Sequence, residues 1–219
     1  GRARFELDNT LNLFGPSLFA FPGLVDMVSQ MCPSMTISHI AVSSFQDAVD
    51  KIKDGTLDIL ITRTIQECEA LTCIKLVSQE LMVFVGPSNP YYSRDEITLT
   101  EFLSLPYVAP SYGTLLYEST EAMFSELNIH PHVFSRASST KDQLYAIANS
   151  NCVAIHARHL LTSSASAMSL HGLRLKEIGP IHSNLNLYYS EGNCKPARVD
   201  ATNAIISYFE SLQNLSSLP

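Results

Sequence analysis

The segment Gly55-Thr56-Leu57-Asp58-Ile59-Leu60-Ile61-Thr62-Arg63 constrains the fold more than any other part of the chain. A glycine ends the preceding helical pattern, a short apolar run follows, and polar residues close it. The run is too short for a helix and too continuous for a strand with one solvent-facing side. It therefore predicts a central strand of a parallel sheet, buried on both faces. Because ligands collect at the carboxyl ends of strands in such sheets, we expect Thr62, Arg63 and Thr64 at the mouth of a binding site.

Alternating strand and helix patterns on both sides of this segment predict a doubly wound α/β fold. Before it, we expect a strand at residues 3–8, a loop at 9–15, a helix from Pro16 or Pro22 to Met31, a strand at 35–42 and a helix capped by Ser44. After it, strands are expected at 76–78, 81–85, 107–109, 132–135, 153–155, 173–175 and 186–189. Helices are expected at 98–105, at 115–127, after Ser139, at 159–168, and at the end, with an apolar stripe of Ala204, Ile205, Tyr208, Phe209 and Leu212.

The chain length and one strong break predict two lobes. A chain of 219 residues suits two domains of about 100 residues each. The break is Gly86-Pro87-Ser88-Asn89-Pro90, which we interpret as the first crossing between lobes. Lobe I is then expected at residues 1–85 and 187–219, and lobe II at 86–186.

Charge and cysteine usage exclude several classes of protein. The net charge is −7 with only 14 lysines and arginines, and no basic stripe is present, so this chain is a poor nucleic-acid binder on its own. No run approaches the roughly 18 apolar residues of a membrane span. The five cysteines form no tight framework, which favours a reducing, cytoplasmic setting. The chain begins at Gly1 without an initiator Met or a signal-peptide pattern, so we expect a processed chain or an excised fragment.

Four motifs, in order, resemble the effector-binding domain of LysR-type transcriptional regulators. Cys32-Pro33-Ser34-Met35 corresponds to the family's "YP-x-V", and Lys53-Asp54-Gly55-Thr56-Leu57-Asp58-Ile59 to "L-x-x-G-x-LDLAI". Glu80-Leu81-Met82-Val83-Phe84-Val85 corresponds to "E-x-LVLV", and Ile97-Thr98-Leu99-Thr100-Glu101-Phe102 to "ITLADL". The likeness extends from Arg2 to Leu212.

One family segment departs from its usual form. The "GLGIALLP" segment is replaced by Ser150-Asn151-Cys152-Val153-Ala154-Ile155-His156-Ala157, which lacks its glycines and proline. With Arg158-His159-Leu160 after it, this stretch is similar to the "LVATLPRRL" version of nodulation and salicylate-responsive regulators. The first loop is about two residues longer than usual, so the ligand-contacting position there is Asn9, Thr10 or Asn12.

The resemblance implies two Rossmann-like lobes of the type 2 periplasmic-binding-protein kind, with a small-molecule effector between the lobes. It also implies homodimers, and tetramers in the full-length bacterial protein, and an N-terminal helix-turn-helix, absent from this chain, that binds DNA. No enzymatic activity, cofactor or membrane contact is implied. A periplasmic solute-binding protein of an uptake system shares the fold and stays the alternative.

Polar loops are expected to gather on one side of the predicted sheets. Several precede helices, whose free N–H groups and dipole favour an anion, and Arg63 would add a bidentate donor for a carboxylate. The alternative is that Ser44 and Ser139 are only helix caps and that Arg63 pairs with a nearby acid. We expect a small carboxylate, with Tyr112 offering a face to an aromatic ring. The candidate effector-binding residues are Asn9, Thr10, Ser43, Ser44, Thr62, Arg63, Ser111, Tyr112, Gly113, Thr114, Ser139 and His156.

Other kinds of site have less support. The histidine pairs His130/His132 and His156/His159 have no companion ligands at zinc-site spacing, so no metal is expected. Peroxide-sensing relatives carry a reactive cysteine at the position of Thr114, which argues against redox sensing here. The chain shows no phosphate loop, nucleophile elbow or H-E-x-x-H motif of an enzyme.

Overall fold

A computed structural model describes residues 1–15, 20–63, 66–163 and 168–216, with side chains up to 214. The chain forms two compact units: unit 1 is Gly1–Val77 with Asn184–Pro219, and unit 2 is Ser78–Ser183. Both boundaries fall inside long strands, β4 (Thr72–Val85) and β10 (Ile181–Tyr189). The sequence-based lobe boundaries, after residues 85 and 186, lie later in the chain than these changes of unit. A chain that passes from one unit to the other within a strand has no loop-like composition at that point to mark the boundary.

Unit 1 contains a mixed sheet with the strand order β2-β1-β3-β10-β4, where β1 is Thr10–Phe14, β2 is Thr36–His39 and β3 is Ile59–Thr62. Strand β1 runs parallel to β2 and β3, whereas β10 runs antiparallel to β3. All four residues of β3 are buried. The prediction of a central, doubly buried strand is therefore confirmed, but its neighbours are parallel on one side only.

Helices cover both faces of β3. Ile59 and Ile61 belong to a core cluster with residues of α2 (Leu24–Met31) and α7 (Pro196–Ser216). Leu60 is paired with Tyr188, whose ring meets that of Phe45 edge-on at 5.2 Å on α3 (Phe45–Lys53). This layered burial explains why the run contains no polar alternation.

The N-terminal prediction was wrong. Residues 3–8 were expected to form a strand followed by a loop at 9–15, but the structure has helix α1 (Arg2–Asn9), and β1 begins at Thr10. An Arg2–Glu6 ion pair of 3.1 Å one turn apart supports the helix, and none of its residues is buried. The expected helix start at Pro16 lies outside the described residues, and α2 begins after Gly23.

A buried carboxylate ties the amino end of β3 to two other parts of unit 1. Asp58 is only 1% exposed. Its oxygens accept hydrogen bonds from the backbone N–H of Asn12 (2.8 Å), the Asn193 side-chain amide (2.8 Å) and the Lys195 ammonium (2.9 Å). The cluster therefore joins β1, β3 and the segment before α7.

Unit 2 contains two groups of strands. In one, β4 is antiparallel to β8 (Ala154–Ala157) and β9 (His171–Leu175), and β9 is parallel to β5 (Glu96–Ile97). In the other, β6 (Tyr107–Pro110) and β7 (Val133–Ala137) run parallel. The strands expected at 76–78 and 81–85 are parts of the single strand β4.

The described residues of unit 2 include three α-helices: α4 (Leu99–Ser104), α5 (Leu115–Leu127) and α6 (Thr140–Ala148). The capping box predicted at Thr98 and Glu101 is confirmed, since each side chain bonds the other residue's backbone N–H. The helix expected at 159–168 is instead a short 3₁₀ helix, Arg158–Thr162, and residues 164–167 lie outside the described part. The Ser163 hydroxyl bonds the His159 carbonyl there and competes with helical pairing.

Candidate functional site

The carboxyl ends of three parallel strands meet at one edge of unit 1. Strand β1 ends at Phe14, β2 at His39 and β3 at Thr62, and the parallel pairing brings these ends to the same side. Ser43-Ser44 follow β2 before α3, and Arg63 follows β3 directly. The edge that sequence reasoning selected in this unit therefore carries Ser43, Ser44, Thr62 and Arg63, as expected for an α/β ligand site.

Ser43 and Ser44 organise the start of α3. The Ser44 hydroxyl accepts the Asp47 backbone N–H at 3.0 Å and caps the helix. Ser43 donates its backbone N–H (2.9 Å) and its hydroxyl (3.1 Å) to the Asp47 carboxylate, which Lys51 also contacts at 2.9 Å. These bonds, led by the Ser43 backbone, hold the pKa of Asp47 below its usual range. The helix start thus already carries a carboxylate of its own.

Thr62 is buried at the end of β3, and Arg63 is half-buried immediately after it. Burial lowers the pKa of Arg63 to about 10, so the guanidinium stays charged at neutral pH. A cation with reduced hydration at a strand end is suited to pairing with an anion.

Asn9 and Thr10 lie elsewhere. Both cap the end of α1: the Asn9 amide donates to the Phe5 carbonyl at 2.8 Å and the Thr10 hydroxyl to the Glu6 carbonyl at 2.7 Å. They sit at the amino end of β1, opposite to the edge that carries Ser44. Their inclusion followed from the incorrect strand assignment at residues 3–8.

In unit 2 the carboxyl ends of β6 and β7 are neighbours, with Pro110 paired to Ala137. The Ser111 N–H donates to the Ala137 carbonyl at 2.9 Å, so the loop after β6 lies beside the loop after β7. Thr114 caps α5 by accepting the Tyr117 N–H at 3.1 Å, and its hydroxyl donates to the Ser111 carbonyl at 2.8 Å. Gly113 has φ = 70°, a left-handed conformation that tightens this loop.

Ser139 caps α6 in the same manner as Ser44 caps α3. Its hydroxyl accepts the Asp142 N–H at 3.1 Å and lies 2.8 Å from the Asp142 carboxylate, to which the Ser138 hydroxyl also donates at 3.2 Å. The candidate residues of unit 2 from Ser111 to Thr114 and Ser139 therefore share one edge.

His156 is a buried residue of β8, and its ring packs edge-on against Phe84 with 5.5 Å between ring centroids. A parallel bridge between Tyr107 and Val153 places β8 beside β6. The histidine thus lies near the carboxyl end of β8, on the side where the Ser111 loop follows β6, but its side chain is part of the apolar interior.

Sequence reasoning missed Arg136, near the end of β7. Its guanidinium lies 3.8 Å from the ring centroid of Tyr112 and 5.6 Å from that of Tyr117, and donates to the Pro110 carbonyl at 2.9 Å. The strand was expected at residues 132–135, and it ends two positions later, at Ala137. A cation directly at a strand end, the signal used for Arg63, would have identified it.

The two edges offer hydroxyls, helix N-termini and guanidinium groups, which suit an oxygen-rich small molecule.

Among the described residues, no three His, Cys, Asp or Glu side chains lie close enough together to hold a metal ion. No described helix has the length and apolar character needed to cross a bilayer.

Comparison with known families is decisive for the class of domain. The profile of the LysR substrate binding domain matches residues 7–206. The chain belongs to the LysR substrate-binding family. A curated relative of this family member, an uncharacterized HTH-type transcriptional regulator of Bacillus subtilis (strain 168), is 29% identical over 112 residues, which are 51% of this chain and 38% of that protein. The matched part therefore spans little more than a third of the relative.

Solved structures share the fold of this LysR-family domain. The effector binding domain of QuiR in complex with shikimate has a TM-score of 0.73 at 17% identity, covering 92% of this chain and 96% of that one. The regulatory domain of CcmR from Synechocystis PCC6803 in complex with 2-PG has a TM-score of 0.71 at 17% identity, with 93% and 95% covered. Full-length CbnR complexed with its target DNA has a TM-score of 0.69 at 12% identity, with 95% and 74% covered. The expected α/β fold of the periplasmic-binding-protein type is confirmed.

Proposed function

We propose that this LysR-family domain senses a small, oxygen-rich effector, and that a DNA-binding region outside this chain acts on the resulting signal. The observation that carries the proposal is the gathering of Ser43, Ser44, Thr62 and Arg63 at one edge of unit 1. Within unit 2, Ser111–Thr114 and Ser139 lie at the carboxyl edge of β6 and β7, and we propose them as effector-contacting residues as well. Asn9, Thr10 and His156 are left out because of the positions described above.

Three further features support this proposal. The net charge of −7 disfavours direct DNA binding by this chain. The structurally similar domains of QuiR and CcmR were solved in complex with small ligands, shikimate and 2-PG respectively. The family assignment favours a cytoplasmic, non-enzymatic regulatory domain over a periplasmic solute-binding protein. In the mechanism that we propose, the effector prefers one conformation of the regulator and shifts its population.

The test compares two helix-cap variants for effector binding. Small acids and neutral polyols are screened by thermal shift, and hits are measured by calorimetry on the parent, Ser44→Ala and Thr98→Ala. Both variants lose an N-cap, worth about 1 kcal/mol of stability, but only Ser44 is in the proposed site. We expect Ser44→Ala to weaken binding about fivefold, the value of one hydrogen bond, and Thr98→Ala to bind as the parent does.

Equal binding by the parent and Ser44→Ala would place the effector elsewhere. A screen in which neither acids nor polyols bind the parent would refute the sensing role.

A further inference from the structure

Arg136 directs its guanidinium group to the carboxyl edge of unit 2. It is the penultimate residue of β7, and its Nη1 donates to the carbonyl of Pro110, the last residue of β6, at 2.9 Å. The charge is therefore held across the end of both strands, beside the loop that begins at Ser111. This edge is the one where α/β sheets place their ligands.

Two tyrosine rings lie against this guanidinium. Its Cζ lies 3.8 Å from the ring centroid of Tyr112, a stacking distance, and the Tyr117 ring stands edge-on to Tyr112 at 5.1 Å. Tyr112 is nevertheless 67% exposed. Stacking orients the donors in advance, which reduces the entropy lost when a planar anion binds.

Arg136 also differs from other arginines of unit 2 in its charge environment. Arg94, Arg158 and Arg174 each form an ion pair with a glutamate. Within the described residues, no carboxylate lies within ion-pair distance of Arg136, and its Nε and Nη2 donate no hydrogen bond. The group is thus pre-oriented, charged and able to accept a partner.

The helix starts at the candidate edges, α3 in unit 1 and α6 in unit 2, are less suited to an anion than the sequence indicates. The N-termini of α3 and α6 are faced by the carboxylates of Asp47 and Asp142, which take the serine hydroxyls there. A second carboxylate beside either would meet repulsion of like charges. A ligand anion in unit 2 is therefore better placed against Arg136.

We infer that Arg136 binds the carboxylate of the effector, with Nε and Nη2 as the bidentate donors and the exposed Tyr112 ring beside it. This inference rests on the proposed sensing function and adds the ligand class, a small carboxylic acid, and its anchoring residue. It differs from the sequence-based expectation, which assigned the carboxylate to Arg63.

Three acids serve as probes: shikimate, benzoate and citrate, with methyl shikimate as a neutral counterpart. Calorimetry is performed on the parent, Arg136→Met, Arg136→Lys and the control Arg94→Met. Arg94 is matched to Arg136 because it too lies over a tyrosine ring, 4.7 Å from that of Tyr91, and its loss changes the net charge equally. Circular dichroism verifies that each variant is folded.

We expect the tightest of the three acids to bind Arg136→Met at least about tenfold more weakly than the parent, as for the loss of a charge-assisted pair. Arg136→Lys should recover part of the affinity, and Arg94→Met should bind as the parent does. Unchanged acid binding by Arg136→Met, an equal loss in Arg94→Met, or no binding of any of the three acids to the parent would overturn the inference. Binding of a neutral compound that is lost in Ser44→Ala would overturn it while leaving the sensing function intact.

Discussion

Replacing the buried Asp58 by asparagine should destabilise unit 1 strongly. The carboxylate collects three donors from the Asn12 backbone, Asn193 and Lys195 at 2.8–2.9 Å. Both carboxylate oxygens accept hydrogen bonds, and asparagine keeps only one of these acceptors. Its NH₂ group would replace the other oxygen and face a donor that then has no acceptor. The substitution also leaves the ammonium of Lys195 without its counter-charge.

The size of the effect follows from burial. The side chains of Asp58 and Lys195 are 2% and 21% exposed, so the pair is largely removed from water. Breaking a buried ion pair by removing one member costs about 3–5 kcal/mol. Since Lys195 keeps some contact with solvent, we expect the lower end, about 3 kcal/mol. The double variant Asp58→Asn/Lys195→Met should cost less than the sum of the single changes, because no unpaired charge remains.

Urea unfolding followed by far-UV circular dichroism measures this cost, with Asp200→Asn as the control. Asp200 lies on α7 in the same unit and is exposed, so its substitution removes the same charge without the buried contacts. A loss of about 3 kcal/mol lowers the urea midpoint by about 1 M or more. If Asp58→Asn unfolds at the same urea concentration as Asp200→Asn, the cluster does not stabilise the fold as argued.

Two further predictions concern pH and self-association. Arg174 holds the pKa of the half-buried Glu80 below its usual range, so this pair should stabilise unit 2 above the ordinary glutamate pKa of about 4.3 and lose its effect as the pH falls through the lower folded value. Acid titrations of the parent and Glu80→Gln should converge at low pH, and parallel curves would contradict the assignment. We also propose that the chain forms dimers through α2, whose Val25 and Met31 are 45% and 49% exposed. Sedimentation at micromolar concentration should show a dimer that Met31→Glu weakens, and a strictly monomeric parent would refute this.

That last proposal changes the residues expected to form the interface. The resemblance assigns the first helix and the second strand to the partner interface, and their apolar residues Phe21, Leu24, Val28, Met35 and Ile37 offer more surface than one lobe needs. In the structure Phe21, Leu24 and Val28 are buried in the core of unit 1, and Met35 and Ile37 are partly buried against it. Helical spacing identifies an apolar stripe but does not distinguish a core face from an interface, because both exclude water.

Local chemistry explains which parts of the fold were predictable. The burial of β3 and the caps at Ser44, Thr98 and Ser139 follow from a few adjacent residues, and all are confirmed. In α1, by contrast, Ala3, Phe5 and Leu7 alternate as in a strand although none is buried, so the alternation has no sheet to face. Ion pairs one turn apart, Arg2–Glu6 and Arg4–Asp8, match a helix instead and support it.

Contacts distant in sequence explain the remaining errors. Gln79 and Glu80 interrupt the apolar pattern of β4 and suggested two strands. Their partners, His159 for Gln79 and Arg174 for Glu80, come much later in the chain. At the candidate site, a cation at a strand end is a local signal that marks Arg136, but its packing on Tyr112 and its bond to Pro110 involve residues distant in sequence.

The pairing of β3 with β10 has a consequence for the order in which the chain can fold during synthesis. The edge of Ile59–Thr62 that faces away from β1 is completed by residues up to Tyr188, after the whole of unit 2 has been made. Until then, the most apolar strand of unit 1 has an edge of unpaired N–H and carbonyl groups, the kind of edge that recruits other chains. Unit 2 is continuous in sequence, so its strands do not depend on a segment that is synthesised after another unit. A ribosome stalled before Asn184 would therefore carry the whole sequence of unit 2 but an incomplete unit 1, whose unpaired β3 edge favours aggregation.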